Sequence, residues 1–336
     1  MEQIYCLQGR KRFRPFVFAA NVTNRSYSTP LQRRIADFGA DEPFAKVNKK
    51  LKEHYGITVP LSAARTTTLK HAENIKKIQD VELGTLKGDA KQCVISETDG
   101  SMIPIVATGN SKMPGDKRKQ KSLFYKEARL SLSHAKGSVT PVFSATMGDV
   151  KQAGLHLAHC VHRVGINDNT QIHGIGDGAP WIADQVEEQF GSQATYLIDM
   201  YHTCEYLGEA SATCAPGKEK IWMEKQKERL RASKIAEICQ ELKLFMEKDN
   251  VADKDAPVRR AYRYINNRIH QMDYKAAIDN DLPIGSGEIE SAHRYVIQKR
   301  LKIAGSWWLE RSADNMLALR VNRANGDWDE YWEKAA

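Results

Sequence analysis

Four acids stand where a strand-like run ends or a helix begins: Asp99 in ISETDG, Asp177 in IHGIGDGAPWIADQV, Asp199 in ATYLIDMYH and Glu290 in IGSGEIES. Carboxylates at the carboxyl ends of neighbouring strands of an open α/β sheet can converge on one crevice. Converging acids repel, so they call for a cation. Oxygen donors with no Cys/His quartet beside them suit Mg²⁺ or Mn²⁺ better than zinc. Two such ions held roughly 3.5–4 Å apart serve in-line attack at a phosphodiester, one activating the nucleophile and the other steadying the leaving oxygen. Spacing alone leaves rivals. Glu97 lies two residues before Asp99, hence on the same strand face. Glu288 and Glu290 both sit near a helix N-terminus, where negative charge is favourable. Asp99 before Gly100 can be a turn residue. Asp177 can cap the helix that Pro180 begins, with Gly176 and Gly178 serving the turn or leaving room for a metal and DNA to approach the backbone. Asp199 can cap a helix or orient His202.

The remaining composition points the same way. Fifty Lys plus Arg against 42 Asp plus Glu give a formal charge of +8 over 336 residues, and a basic balance favours a polyanionic partner. Acids that hold metal, on a chain whose Lys and Arg attract a phosphate backbone, suit an enzyme of nucleic acid. Six cysteines without a C-x-x-C pair argue against a disulfide framework and for reduced thiols. No apolar run approaches the roughly 20 residues that span a bilayer, and MEQIYCLQGRKRFRPF lacks a signal-peptide core. The expected location is the cytoplasm, in association with the nucleoid, with no membrane partner.

The elements that must position these acids divide the chain into four stretches. Residues 1–88 are helical in pattern, and FAKVNKKLKEHYGITVPLSAARTTTLKHA has the outline of a DNA-binding helix-turn-helix or of two ordinary packed helices. Residues 89–210 change period. CVISETDG, SMIPIVATG, EARLSLSHA and SVTPVFSAT predict three or four antiparallel strands, followed by the helix DVKQAGLHLAHCVHRVG and then alternating β and α elements. Residues 211–282 are helical and heavily charged and form an insertion, and residues 283–336 return to the core with a helix after IGSG. The expected fold is an α/β mixed sheet flanked by helices, interrupted by a helical insertion before the last catalytic helix.

VISETDGSMIPIV, KEARLSLSHAKGSVTPVFSATMGD, HGIGDGAPWIADQVEEQFGSQATYLIDMYHTCEYL and IGSGEIESAHRYVIQKRLKIAGSWW, in this order, resemble bacterial insertion-sequence transposases of the DDE class, most closely the ISKra-like group. The resemblance covers roughly residues 30–325. It implies an RNase H-like core in which Asp99, Asp177 and Glu290 hold two Mg²⁺ (or Mn²⁺) ions for cleaving transposon ends and joining them to target DNA. Glu288 then falls on the variable place of SGxxES, and Asp199 with His202 matches the supporting element DxYH. The implied partners are double-stranded DNA and a second subunit, in a homodimer or larger assembly that pairs two ends. Such transposases carry more sequence before MEQIYC, so the expectation is a shortened element lacking part of its end-recognition domain. Two other readings share the acids: an RNase H-like nuclease without strand transfer, and a transposase-derived DNA-binding protein that no longer cuts.

Lys117, Arg118, Lys119 and Lys121, between two strand-like runs, can hold a DNA backbone or form a solvated hairpin tip. Lys299, Arg300 and Lys302 follow Glu290 on its helix and suit phosphate contacts, while Arg294, one turn from Glu290, can pair with it. Trp307 and Trp308 can stack on an unpaired base, with core packing the expected role for at least one of them. His156, His159, Cys160 and His162 wind around a helix instead of meeting at one point, against the tetrahedral geometry of zinc.

Overall fold

The computed structural model describes residues 5–7, 11–13, 15, 27–83, 89–108 and 121–335. Two short strands, β1 (Tyr5–Leu7) and β2 (Lys11–Phe13), pair antiparallel. Helices α1 (Thr29–Asp41), α2 (Phe44–Tyr55) and α3 (Leu61–Glu82) follow. α2 ends where Gly56 takes the left-handed conformation at φ 67°, an ordinary helix stop.

The central sheet contains β3 (Cys93–Thr108), β4 (Lys121–Ala135), β5 (Val142–Thr146), β6 (Gln171–Gly176) and β7 (Ala194–Ile198), in the order β5-β4-β3-β6-β7. The first three strands are antiparallel, and β6 and β7 run parallel to β3. α4 (Val150–Val164), capped by Asp149 accepting from the Gln152 amide, connects β5 to β6, and α5 (Pro180–Phe190) connects β6 to β7. The mixed sheet flanked by helices is the architecture predicted from the sequence.

One expectation is corrected. CVISETDG and SMIPIVATG are a single strand, so Asp99 does not end β3; it pairs with Leu130 in mid-strand, and Gly100 pairs with Arg129. Gly100 is a packing glycine, since a Cβ there would lie 2.1 Å from Glu127 Oε1. The Asp-Gly pair marks a close cross-strand approach and not a turn.

The two sheet faces have different covers. Val94 and Ile172 pack with Leu157 and Val161 of α4 and Val186 and Phe190 of α5. On the opposite face Ile103, Ile105, Leu130 and Leu132 share a core with Ile289, Val296 and Ile297 and with Leu317 and Val321. Those residues belong to α11 (Gly287–Ala292), which continues through a π-turn (His293–Gln298) into Lys299–Leu301, and to α12 (Glu310–Ala324). Ala36, Ala72 and Ile75 of the N-terminal helices and Trp332 of α13 (Trp328–Ala335) enter the same core.

Before α11 the chain forms α6 (Met200–Cys214), α7 (Glu219–Arg231), α8 (Ile235–Leu244), α9 (Pro257–Asn266) and α10 (Tyr274–Asp279). They build a second core around Leu207, Leu230, Ile238, Leu242 and Ile265 that reaches the sheet through Ile175 and Leu197. Among the described residues no helix is long and apolar enough to cross a membrane.

Candidate active site

Parallel pairing aligns the acids. Glu97 pairs with Ile175, and Gly176 pairs with Ile198. Continuing each register by one or two residues brings Asp99, Asp177 and Asp199 to one level on three adjacent strands. Period-two alternation puts Glu97 and Asp99 on the face covered by α11. The contacts agree, for Glu97 Oε2 accepts from the Ile289 amide at 2.9 Å, and His293 Nε2 lies 3.3 Å from Asp99 Oδ2.

Glu97 is 1% exposed, and its carboxyl is pushed up to about 8. Burial is the main cause, opposed by the Ile289 hydrogen bond, and Glu288, Asp199 and Glu290 push it further. Its charged neighbours in that balance are all carboxylates. The sheet end and the start of α11 therefore gather uncompensated negative charge, which favours a neutral, protonated Glu97.

Asp199 is the most fully hydrogen-bonded acid of the group. Its Oδ1 accepts from the amides of Tyr201 (2.6 Å) and His202 (3.1 Å), capping α6. Its Oδ2 accepts from the Ser286 amide (2.8 Å) and hydroxyl (2.6 Å). One buried side chain thus fastens the end of β7 to the loop that launches α11. Gly285 in that loop leaves space for the Tyr201 ring, whose nearest atom would be 2.6 Å from an added Cβ. Asp199, Tyr201, Gly285, Gly287, Glu288 and Glu290 border an open cleft with a volume of about 450 Å³.

Asp177 is half-buried and accepts at Oδ1 from the Ala179 amide, 2.8 Å, just before Pro180 opens α5. The following peptides are gripped by the helical insertion. Tyr264 Oη donates to the Asp177 carbonyl at 2.7 Å, and Arg268 Nε donates to the Gly178 carbonyl at 2.9 Å. Gly178, at φ 85°, lies beneath Tyr264, and a Cβ on Gly176 would be 2.7 Å from Tyr196 Oη. Tyrosine packing therefore explains both flanking glycines, in place of the expected room for metal and DNA.

Glu290 is exposed on the first turns of α11, and Glu288 lies 3.3 Å from His134 Nε2. The structure groups Glu97, Asp199, Glu288 and Glu290 around the start of α11, sets Asp99 beside His293, and holds Asp177 beneath Tyr264. Among the described residues no three His, Cys, Asp or Glu side chains are close enough together to hold one ion. By donor type the carboxylates suit a hard divalent cation, although as placed no three of them converge on one point. Two buried histidines went unread in the sequence. His293 had one available signal: it follows Ile289 by four residues, so both face the sheet.

The expected supporting residues have varied surroundings. His202 Nδ1 is 3.1 Å from Glu205 and its ring meets Tyr206 and Tyr264 edge-on, whereas Arg294 is exposed on the π-turn. Lys117, Arg118 and Lys119 lie outside the described residues. Lys121, Lys299 and Lys302 are exposed, and Lys299 is 3.4 Å from Asp41. Arg300 is not an exposed phosphate contact: it is 2% exposed, donates to the Gly39 carbonyl, and stacks over Phe44 and Trp308. Trp308 is core and Trp307 is partly exposed. On α4, His156 hydrogen-bonds Ser144 Oγ at 2.6 Å and Cys160 Sγ donates to the Ser131 carbonyl, both within the core.

No curated protein matches the chain. Among solved structures, the Drosophila P element transposase strand transfer complex is similar over 95% of this chain and 83% of that one, at 9% identity and a TM-score of 0.34. Nothing about this chain follows from so slight a likeness. A family model matches residues 159–334, a span that takes in Asp177, Asp199, Glu288 and Glu290 and leaves Glu97 and Asp99 outside. The chain belongs to the uncharacterised protein family UPF0236.

Proposed function

We propose that the chain is a transposase-like polynucleotidyl transferase that cleaves DNA at the ends of a mobile element and joins them to target DNA, in the manner of the DDE enzymes its motifs resemble. The observation that carries this reading is the alignment of Asp99, in the middle of β3, with Asp177 and Asp199 just past the ends of β6 and β7, beside the N-terminus of α11. Asp99, Asp177 and Glu290 would hold Mg²⁺ or Mn²⁺. When bound, two ions acidify the attacking water or 3′-OH and neutralise charge at the leaving oxygen. The protein's own part is positional. Asp199 holds the α11 loop against β7, fixing where Glu290 starts, while Tyr264 and Arg268 hold the backbone after Asp177. Glu97, protonated at neutral pH, lets the other carboxylates approach without a further buried charge. Lys121, Lys299 and Lys302 would meet phosphates, within a dimer or larger assembly that pairs two ends at the nucleoid.

The lack of three metal-binding side chains gathered among the described residues favours a second reading, a DNA-binding protein that no longer cuts. One experiment separates the two. Purified protein is incubated with labelled element-end DNA, with and without Mn²⁺, beside Asp177→Asn and Glu290→Gln. Metal-dependent nicking or joining, abolished by both substitutions while DNA binding persists, is the expected result. Hydrolysis without joined product would assign a nuclease. Binding without any cleavage would overturn the enzyme.

A further inference from the structure

We infer that Trp307 and Tyr125 form a preorganised stacking site for one unpaired nucleobase, with Lys302 beside it for the adjoining phosphate. The inference rests on the reading that the chain binds DNA, and it adds where an unpaired part of that DNA is held.

The argument starts from the chain's treatment of its two adjacent tryptophans. Trp308 is buried, donates from its indole to the Leu301 carbonyl at 3.2 Å, and packs against Phe44 and the guanidinium of Arg300. Its backbone also joins the edge of β3 beyond the point where β6 stops. The Trp308 amide donates to the Pro104 carbonyl (3.1 Å), and the Val106 amide donates to the Trp308 carbonyl (2.8 Å). The neighbouring Trp307 is thereby fixed on a rigid strand edge, yet its side chain is 39% exposed. An indole has apolar surface to bury, and the core beside it is already filled by its neighbour.

Tyr125, from β4, is 61% exposed. Its ring centroid lies 5.9 Å from that of Trp307, with the planes tilted by 55°. Together with Met102, Pro104, Lys302 and Ser306 the two rings line a cleft of about 450 Å³. An aromatic ring held in advance loses little entropy on binding, and a flat aromatic face takes any base. An exposed ammonium at the rim adds the charge complementary to a phosphate.

By period-two alternation Met102, Pro104 and Tyr125, which pairs with Pro104, lie on the sheet face opposite to Asp99, so the aromatic pair sits around the edge of β3 from the acids. Pro104 is about 17 Å along β3 from Asp99, at ~3.3 Å per residue. Lys302 stands just past the end of the helical run that α11 begins and that continues through the π-turn. Arg294, Gln298 and Lys299, between Glu290 and Lys302 along the chain, are exposed.

The test compares a fluorescein-labelled duplex bearing a short single-stranded overhang with a blunt duplex of equal length, by anisotropy at fixed salt. The full-length protein is used beside Trp307→Ala, Trp307→Phe, Tyr125→Ala and Lys302→Ala, each checked for an unchanged melting temperature. Wild type should prefer the overhang. Trp307→Ala should weaken overhang binding by roughly 5- to 100-fold and leave blunt binding unchanged, while Trp307→Phe retains most of the preference. Lys302→Ala should weaken overhang binding more than blunt binding and lower the salt slope for the overhang duplex by about one. A 2-aminopurine in the overhang should be quenched by wild type and not by Trp307→Ala.

Equal binding of the two duplexes by wild type, or an intact overhang preference in folded Trp307→Ala, would overturn the site. So would Trp307→Ala lowering the mass in sedimentation without altering DNA binding, which would make the surface a contact between copies. Failure of the enzyme reading looks different: the overhang preference and its loss in Trp307→Ala would persist in a protein that never nicks DNA. Absence of any DNA binding would overturn both.

Discussion

At the scale of single residues, type and position carried different amounts of information. Asp199 is identified from sequence as an acid before a helix, but its second role needs the fold: Oδ2 reaches Ser286 across 87 positions of sequence. Replacing Asp199 by Ala removes acceptors from the Tyr201, His202 and Ser286 amides and the Ser286 hydroxyl, in a side chain 4% exposed. A lost cap costs about 1 kcal/mol and each stranded buried donor about 1–3 kcal/mol, so the total expected is about 2–4 kcal/mol after relaxation. Urea unfolding of Asp199→Ala should give that loss with an unchanged m-value, and Asp199→Asn, which keeps an acceptor oxygen, should lose less. A loss under 0.5 kcal/mol on both would remove the structural role of this side chain. Arg300 teaches the converse. Its place among Lys299 and Lys302 suggested phosphate contact, whereas the fold spends its guanidinium on Gly39, Phe44 and Trp308, a distinction that charge spacing cannot carry.

Among elements, period and punctuation were legible wherever the pattern was local. The change to alternation after residue 92, the helix from DVKQAG, the β-α alternation from 171 and the helix after IGSG all appear in the structure close to the expected places. The strand β3 was not, because the Asp-Gly in its middle reads as a turn until the cross-strand Glu127 is known. Non-local packing also sets the titration of α4. His156 is buried against β5, and its pKa is lowered to about 4, first by burial and then by Lys76 and His159, with Asp80 opposing. The unfolded chain binds this proton near 6.5, so between 6.5 and 4 the unfolded state holds more protons and stability falls as pH falls. The contribution is fully present above 6.5 and amounts to about 3 kcal/mol. His71, also lowered to about 4 by burial and Lys70, titrates over the same window. The buried Glu97 works in the opposite sense, since its folded form binds the proton more tightly between about 8 and 4.5. The prediction is therefore a difference between variants: from pH 7.5 to 4 the melting temperature of His156→Gln should fall less, or rise more, than that of wild type. An unchanged slope in that variant would show that His156 is not the group responsible.

In the whole molecule, the N-terminal helices enclose a small core of their own around Ile35, Val47 and Leu51 and also share in the core of the sheet. Ala36, Ala40, Ala72 and Ile75 lie in the same core as Ile103, Leu130, Leu317 and Trp332. Ion pairs of Arg320 with Asp41 and of Arg323 with Asp37 fasten α12 to α1, and His71 hydrogen-bonds Tyr331 at 2.7 Å. The sequence placed a boundary near residue 88 because the period changes there, and a change of period reports local structure, not which apolar faces meet. The helices of the insertion enclose a larger core and reach the sheet at β6 and β7, through Ile175, Leu197 and Ile198. A fragment of residues 89–336 should consequently lose cooperative unfolding, because removing α1 and α3 exposes apolar residues of the sheet core and strands the buried guanidinium of Arg320. Circular dichroism melting and dye binding would check this: a broad or absent transition and bound hydrophobic dye are expected. If the fragment instead melts in one sharp step, within a few degrees of the full chain, the N-terminal helices are an attached module whose role is separable from that of the sheet.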